Sequence, residues 1–258
     1  MERTTAGGST QPPVRETFDL VNAGPRHRFT VIGNGLPLIA HNCGYQCGWA
    51  KFQHSLRTAA KREGFVLPDT GDTFCANVVN TYRRKRDRIT RNWYVAHEAL
   101  TPLAFGQTSQ LGPYLVRDGV IELPEGHRMY YPNLRTQEKK GDGEQGFEWV
   151  YDRFKKGRKT TEKMYGGKLV ENITQRVARL FITAAMRRLD EIRYSNGERV
   201  FHIVFTVHDE IVVLYHESLD DQYVTENLTW AMTQEMPWAP GMPVACEVGI
   251  GRNYSETK

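Results

Sequence analysis

Two short stretches of this 258-residue chain hold side chains whose types and spacing can do chemistry: His41-Asn42-Cys43 and His208-Asp209-Glu210. An asparagine side-chain nitrogen can attack its own backbone carbonyl, close a five-membered succinimide and cut the chain. His41 is placed to protonate the departing amine. Cys43, released at a new N-terminus, is a nucleophile that can accept an acyl group. Taken alone, the tripeptide is far more often just part of a loop with a satisfied histidine and a buried cysteine. At the other stretch, residues 201–207 and 211–215 are apolar and β-rich with three polar residues between them, the pattern of a β-hairpin. Its tip presents two adjacent carboxylates. Hard divalent ions such as Mg²⁺ prefer carboxylate oxygens together with substrate phosphates, and paired ions can stabilise both the attacking and the leaving oxygen of a phosphoryl transfer. A lone Asp-Glu pair is commonly only turn chemistry.

The elements around these stretches differ in kind. Residues 1–14 (MERTTAGGSTQPPV) are polar, rich in Gly and Pro and without periodicity, which predicts a disordered leader. Residues 15–42 alternate apolar strands with turns, too short a run to bury a core unaided. After Cys43, helical periodicity runs through Phe52, Leu56 and Ala59-Ala60, and one long helix is expected over residues 74–103. That helix carries Tyr82-Arg83-Arg84-Lys85-Arg86 with Arg88, Arg91, Trp93 and Tyr94. Basic residues interleaved with aromatics suit a nucleic-acid face, and a solvated helix surface explains them equally well. Residues 106–131 read as short strands with Gly/Pro turns, and 139–146 as a charged loop. Val170, Ile173, Val177, Leu180 and Ala184 then predict an amphipathic helix, with Asn172, Gln175, Arg176 and Arg179 forming a polar, basic stripe.

Composition sets outer bounds. Hydrophobic content of 40% and charged content of 25% are ordinary globular values. A formal charge of +4 and a pI near 8.8 permit a polyanionic partner without requiring one. The four cysteines (Cys43, Cys47, Cys75, Cys246) form no two-pair zinc pattern and read as free thiols of a reducing compartment. No signal peptide and no apolar run of ~20 residues is visible, so the expectation is a cytoplasmic protein with no membrane partner.

The first stretch has flanks that raise its weight. Upstream stand Thr17-Phe18-Asp19-Leu20-Val21, His27-Arg28-Phe29-Thr30-Val31, Gly33-Asn34-Gly35 and Leu36 to Ala40, then His41-Asn42-Cys43. In that order they resemble the C-terminal portion of inteins. The resemblance implies protein splicing: Asn42 cyclises, His41 is the adjacent acid, Cys43 is the first extein residue, and Asp19 and His27 are supporting polar positions. Splicing also needs an N-terminal half with its own first cysteine. Residues 1–42 carry none, so a split intein on a second polypeptide is expected, with a truncated gene as the other explanation.

From residue 43 onward the chain resembles the C-terminal part of a phage-type family A DNA polymerase. Gly44-Tyr45-Gln46-Cys47-Gly48 resembles the end of that family's fingers helix. Residues 123–132 (LPEGHRMYYP) resemble its "LPSGR-YYP" segment, residues 165–179 its "YGGKLVENI-QA-AR" helix, and Val207-His208-Asp209-Glu210 its catalytic "VHDE" turn. Cys246 to Tyr254 resembles the closing strand and turn. The resemblance implies that Asp209 binds catalytic Mg²⁺, that Glu210 sits beside the metals, and that His208 contacts the primer end. It likewise implies nucleic-acid or nucleotide contacts for Gln175, Arg179 and Tyr45. Cys43 and Cys47 depart from the family's apolar residues, and Leu180 stands where an Asp is usual.

The expected fold class is therefore α+β: a short all-β intein segment (15–42), a helical remainder of the fingers (43–122), and a palm of antiparallel sheet with helices (123–258). The expected function is a phage-encoded polymerase fragment matured by splicing at Asn42/Cys43. It would need its N-terminal half, primer–template DNA and dNTPs, and would be inactive alone, because the second metal-binding carboxylate and the triphosphate-holding Arg and Lys lie outside this sequence. A non-covalent DNA-binding subunit and an inactive relic are the alternatives.

Overall fold

A computed structural model of the chain describes residues 28–33, 36–41, 46–64, 71–139 and 146–257, with side chains from residue 46 on, Arg62 and Glu63 excepted. The expected leader, most of residues 15–42 and the loop 140–145 lie outside the described residues. So do Asp19, His27, Asn42, Cys43 and Tyr45. Within the first segment, β1 (Arg28–Gly33) and β2 (Leu36–His41) pair antiparallel, with Gly33 opposite Leu36 and Arg28 opposite His41. His41 thus ends its strand at the far end of the ladder from residues 34–35.

The remainder mixes helices with antiparallel sheets, an α+β architecture. α1 (Trp49–Glu63) and α2 (Asp72–Lys85) meet through Phe52, Leu56, Cys75 and Val79, with Cys47 against them. Each pair is four residues apart, so each helix offers one apolar stripe. The single helix expected over 74–103 is instead three: α2, α3 (Asp87–Glu98) and α4 (Leu100–Phe105). Arg86 leaves helical geometry at φ −119°, ψ 50°. Pro102 gives the second break its reason, since it has no N–H to continue a ladder and is tolerated in the first turn of a new helix.

β3 (Ser109–Leu111), β4 (Tyr114–Arg117), β5 (Val120–Glu122) and β6 (Arg128–Tyr130) form an antiparallel meander. The strand-rich reading of 106–131 is therefore borne out. The helical character expected for 43–122 holds over α1 to α4 and gives way from Ser109 on, because β3, β4 and β5 fall inside that range. The sheet also runs across the expected boundary at 122/123, with Val120 opposite Tyr130. β7 (Arg135–Glu138), β8 (Phe147–Lys155) and β9 (Arg158–Met164) make a second antiparallel sheet.

The central element is α5 (Gly166–Glu191), 26 residues long. Its Leu169 and Ile173 join Ala96, Leu100, Val116 and Ile121 in the largest core cluster, where each fully buried aliphatic side chain stabilises the fold by about 1.5–3 kcal/mol. Val170 and Val177 are half-buried against the same cluster, as the periodicity predicts. Leu180 is 3% exposed. A carboxylate there would lose its water, so leucine at this position is a packing residue. α5 begins close against α3: a Cβ on Gly166 would lie 1.8 Å from the Trp93 carbonyl oxygen. Only glycine lets the two backbones approach this far.

Beyond α5, β10 (His202–Val207) and β11 (Glu210–Leu214) form a hairpin, and α6 (Asp221–Thr233) follows. Asp220 caps α6, accepting from the backbone N–H groups of Gln222 and Tyr223 at 3.1 and 3.2 Å, a device worth about 1 kcal/mol. Phe201, Val200, Leu189, Val224 and Ala231 form the core beneath the hairpin. The closing segment does not form the strand expected there: residues 243–252 carry no strand assignment and lead into a 3₁₀ turn, Tyr254–Thr257. No helix among the described residues is long and apolar enough to cross a membrane.

Candidate active site

Val207 and Glu210 are the last paired residues of the β10–β11 ladder, so the connection is two residues, His208-Asp209. Two-residue hairpin loops favour positive φ, which matches the twist of the strands. His208 supplies it at φ 53°, a conformation that histidine tolerates better than most residues. The expectation of two carboxylates at the tip is corrected in part: Asp209 lies in the turn, while Glu210 is the first residue of β11. Both are half-buried, and His208 is exposed.

The chain's end secures this turn. The Tyr254 hydroxyl donates to Glu210 Oε2 at 2.5 Å, and the Tyr254 ring meets Phe205 edge-to-face with centroids 5.5 Å apart. From α5, Arg179 donates from Nη1 to Thr206 Oγ1 at 3.4 Å, a long contact that places this guanidinium beside β10. Gln175 is exposed one turn earlier on α5, where its amide reaches Glu171 Oε1 at 3.4 Å. His208, Asp209, Glu210 and Arg179 are thus gathered around one hairpin, with Gln175 further along the same helix. Asn172 leaves the polar stripe and donates to the Tyr131 hydroxyl at 3.0 Å. Burial pushes that phenol up to about 12, so Tyr131 stays protonated at neutral pH.

A second junction joins the 46–48 segment to α5. The Gly167 N–H donates to Gln46 Oε1 at 3.0 Å. Arg83 donates from Nη2 to the Cys47 carbonyl at 3.3 Å and lies 5.7 Å from the Trp93 ring centre. One residue of the basic run is therefore structural, while Arg84, Lys85, Arg86 and Arg88 are exposed. Burial pushes the Cys47 thiol up, with Lys51 and Arg83 partly opposing, so it is no thiolate nucleophile at neutral pH. Cys47, Cys75 and Cys246 are thiols outside any disulfide, as expected. Sequence reasoning missed Tyr254 and Gln46, and no local signal could have found them, since their partners lie 44 and 121 residues away.

Asp209 and Glu210 fit the carboxylate preference of a hard cation, and the Tyr254 hydroxyl engages Glu210 Oε2. No group of three or more His, Cys, Asp or Glu side chains that could hold a metal occurs among the described residues.

The fold and turn together define an α+β chain with a carboxylate-bearing hairpin braced by a long helix. Compared with known proteins, it is 29% identical over 192 residues to a protein named DNA polymerase from Bacillus phage SP02. The match covers 69% of this chain and 27% of that relative. No family model matches the sequence, and no solved structure matches it.

Proposed function

We propose that residues 43–258 are part of a template-directed family A DNA polymerase, comprising the end of the fingers and the C-terminal part of the palm, and that residues 15–42 are the C-terminal piece of an intein. The observation that carries the polymerase reading is the two-residue His208-Asp209 turn flanked by Glu210 and Arg179, in a chain similar to a phage DNA polymerase. In this reading the remaining parts of the enzyme come from an N-terminal half.

Asp209 and Glu210 would hold Mg²⁺, which when bound neutralises charge on the reacting phosphate oxygens. The rest of the work belongs to the chain itself. The ladder ending at Val207 and Glu210 limits the motion of the Asp209 backbone. The Tyr254 hydroxyl holds Glu210 in one orientation. Exposed His208 and Gln175 contact the primer–template, Arg179 offers charge beside β10, and Tyr45 belongs to the nucleotide-insertion site.

In the splicing step, the Cys43 thiolate attacks an upstream thioester, and the acyl chain passes to the Cys43 sulfur as the first thiolate leaves. The Asn42 side-chain nitrogen then attacks the Asn42 carbonyl carbon. His41 protonates the departing Cys43 nitrogen, and the succinimide departs with the intein piece. The freed amine takes the acyl group from sulfur, leaving an ordinary peptide bond.

Mixing the chain with its complementary half tests both parts. A joined product on a denaturing gel is expected, and Asn42→Ala with Cys43→Ala removes it. In the joined enzyme, Asp209→Ala abolishes primer extension while primer–template binding persists. Extension by the solitary, unspliced chain would overturn the reading.

A further inference from the structure

The β8–β9 hairpin breaks a pairing rule at its tip. Along its body each cation faces a carboxylate: Lys159 Nζ lies 2.9 Å from Asp152, Arg153 Nη1 3.1 Å from Glu162, and Lys163 Nζ 2.6 Å from Glu148. At the last rung the pattern stops. Lys155 and Arg158 are Cα partners in the register, joined by Lys156 and Gly157. Two like charges directly opposite one another on adjacent strands are destabilising. All three cations are exposed, and none has an ion-pair partner among the described residues. Phe154 beside them is 73% exposed.

The tip is built to stay where it is. Lys156 and Gly157 both take positive φ, 51° and 74°, the geometry of a tight two-residue loop that suits the twist of paired strands. Lysine is an unfavourable choice there, since asparagine or aspartate enters this region more readily. Local stability would therefore prefer another residue at 156 and an opposite charge at 155 or 158. Breaks of local rules that the fold does not compensate are expected at functional or strained positions.

We propose that Phe154, Lys155, Lys156 and Arg158 form a contact for the phosphodiester backbone of a nucleic acid, with the Phe154 ring stacking on an unpaired base. The assignment rests on the proposed polymerase reading, which supplies the nucleic acid. The tip carries both components of such contacts, cations for the backbone and an exposed aromatic ring for a base, the ring one rung from the Lys155–Arg158 pair. Anionic lipid headgroups share the phosphodiester chemistry, so the experiment includes them.

The test measures binding of the full chain to labelled single-stranded and duplex DNA over a series of salt concentrations. The variant Lys155→Gln/Lys156→Asn/Arg158→Gln removes three charges. The slope of log affinity against log salt should shrink by about 2–3, and affinity at 0.1 M salt should fall about a hundredfold. The charge-keeping variant Lys155→Arg/Lys156→Arg/Arg158→Lys should retain the original slope. Phe154→Ala should weaken single-strand binding about tenfold and duplex binding less.

An unchanged slope in the charge-removing variant overturns the contact, as does equal loss in the charge-keeping one. Binding to anionic vesicles but not to DNA overturns it in favour of a lipid surface. Primer extension by the joined enzyme, assayed separately, distinguishes the two readings. Extension with an unaltered slope sinks the tip alone; a charge-dependent slope without extension sinks the polymerase reading alone.

Discussion

The Tyr254 hydroxyl donates to the Glu210 carboxylate at 2.5 Å, tying the last turn of the chain to the first residue of β11. This bond brings Tyr254 to the site, although residues 243–252 before it form no strand with the hairpin. The neighbouring Phe205 ring packs against the same tyrosine, so one side chain braces the hairpin by a polar and an apolar contact.

Tyr254→Phe should separate those contacts. The ring remains against Phe205 while Glu210 loses the tyrosine hydroxyl, and a half-buried bond to a charged group contributes about 1 kcal/mol or somewhat more. Denaturant unfolding should show a loss of that size. Tyr254→Ala should cost about 1 kcal/mol further, because the edge-to-face pair goes too. Equal losses in the two variants would show that the hydroxyl alone matters.

Gly166→Ala tests the crossing of α3 and α5. A Cβ 1.8 Å from the Trp93 carbonyl oxygen cannot be accommodated by a side-chain rotation, because the obstructing atom is backbone. The helices must separate, at a cost of about 3 kcal/mol. Alanine normally favours a helix over glycine by up to about 1 kcal/mol, so a stabilised variant would contradict the close approach. Thermal melting measures the outcome.

Acid should loosen the β7–β9 sheet. Asp152 is held near a pKa of about 2, first by its hydrogen bond to Lys159, then by those to Asn133 and Arg135. Glu162 is held at about 2, chiefly by Lys168. In an unfolded chain these groups titrate near about 3.9 and 4.3. Between those values and about 2 the unfolded state binds more protons, so stability falls as pH falls. The contribution is complete above about pH 5 and is lost progressively down to about pH 2. Denaturation midpoints measured across that window should decline, and Asp152→Asn with Glu162→Gln should flatten the decline.

Some of this molecule was legible in its residue order, and the reason is locality. Helix α5 shows in the spacing of Val170, Ile173, Val177 and Leu180, since a 3.6-residue repeat is a property of neighbouring residues. The β10–β11 hairpin shows for the same reason, because two apolar runs flank a short polar link. The cluster His208-Asp209-Glu210 came with that hairpin. By contrast, the break at Arg86 has no Gly or Pro to mark it, and Pro102, which does mark the break at Ala99, stands near the end of the expected helix.

What the sequence by itself determined is the periodic core-facing positions of α5, the strand character of residues 106–131, and the presence of paired carboxylates beside a histidine. Tertiary structure alone decided which of those carboxylates occupies the turn, that Tyr254 grips the other, and that Gln46 meets the start of α5. The division is physical. Propensity and hydrophobic spacing act over a few residues, whereas a hydrogen bond between positions 46 and 167 exists only after the intervening chain has folded and brought its ends together.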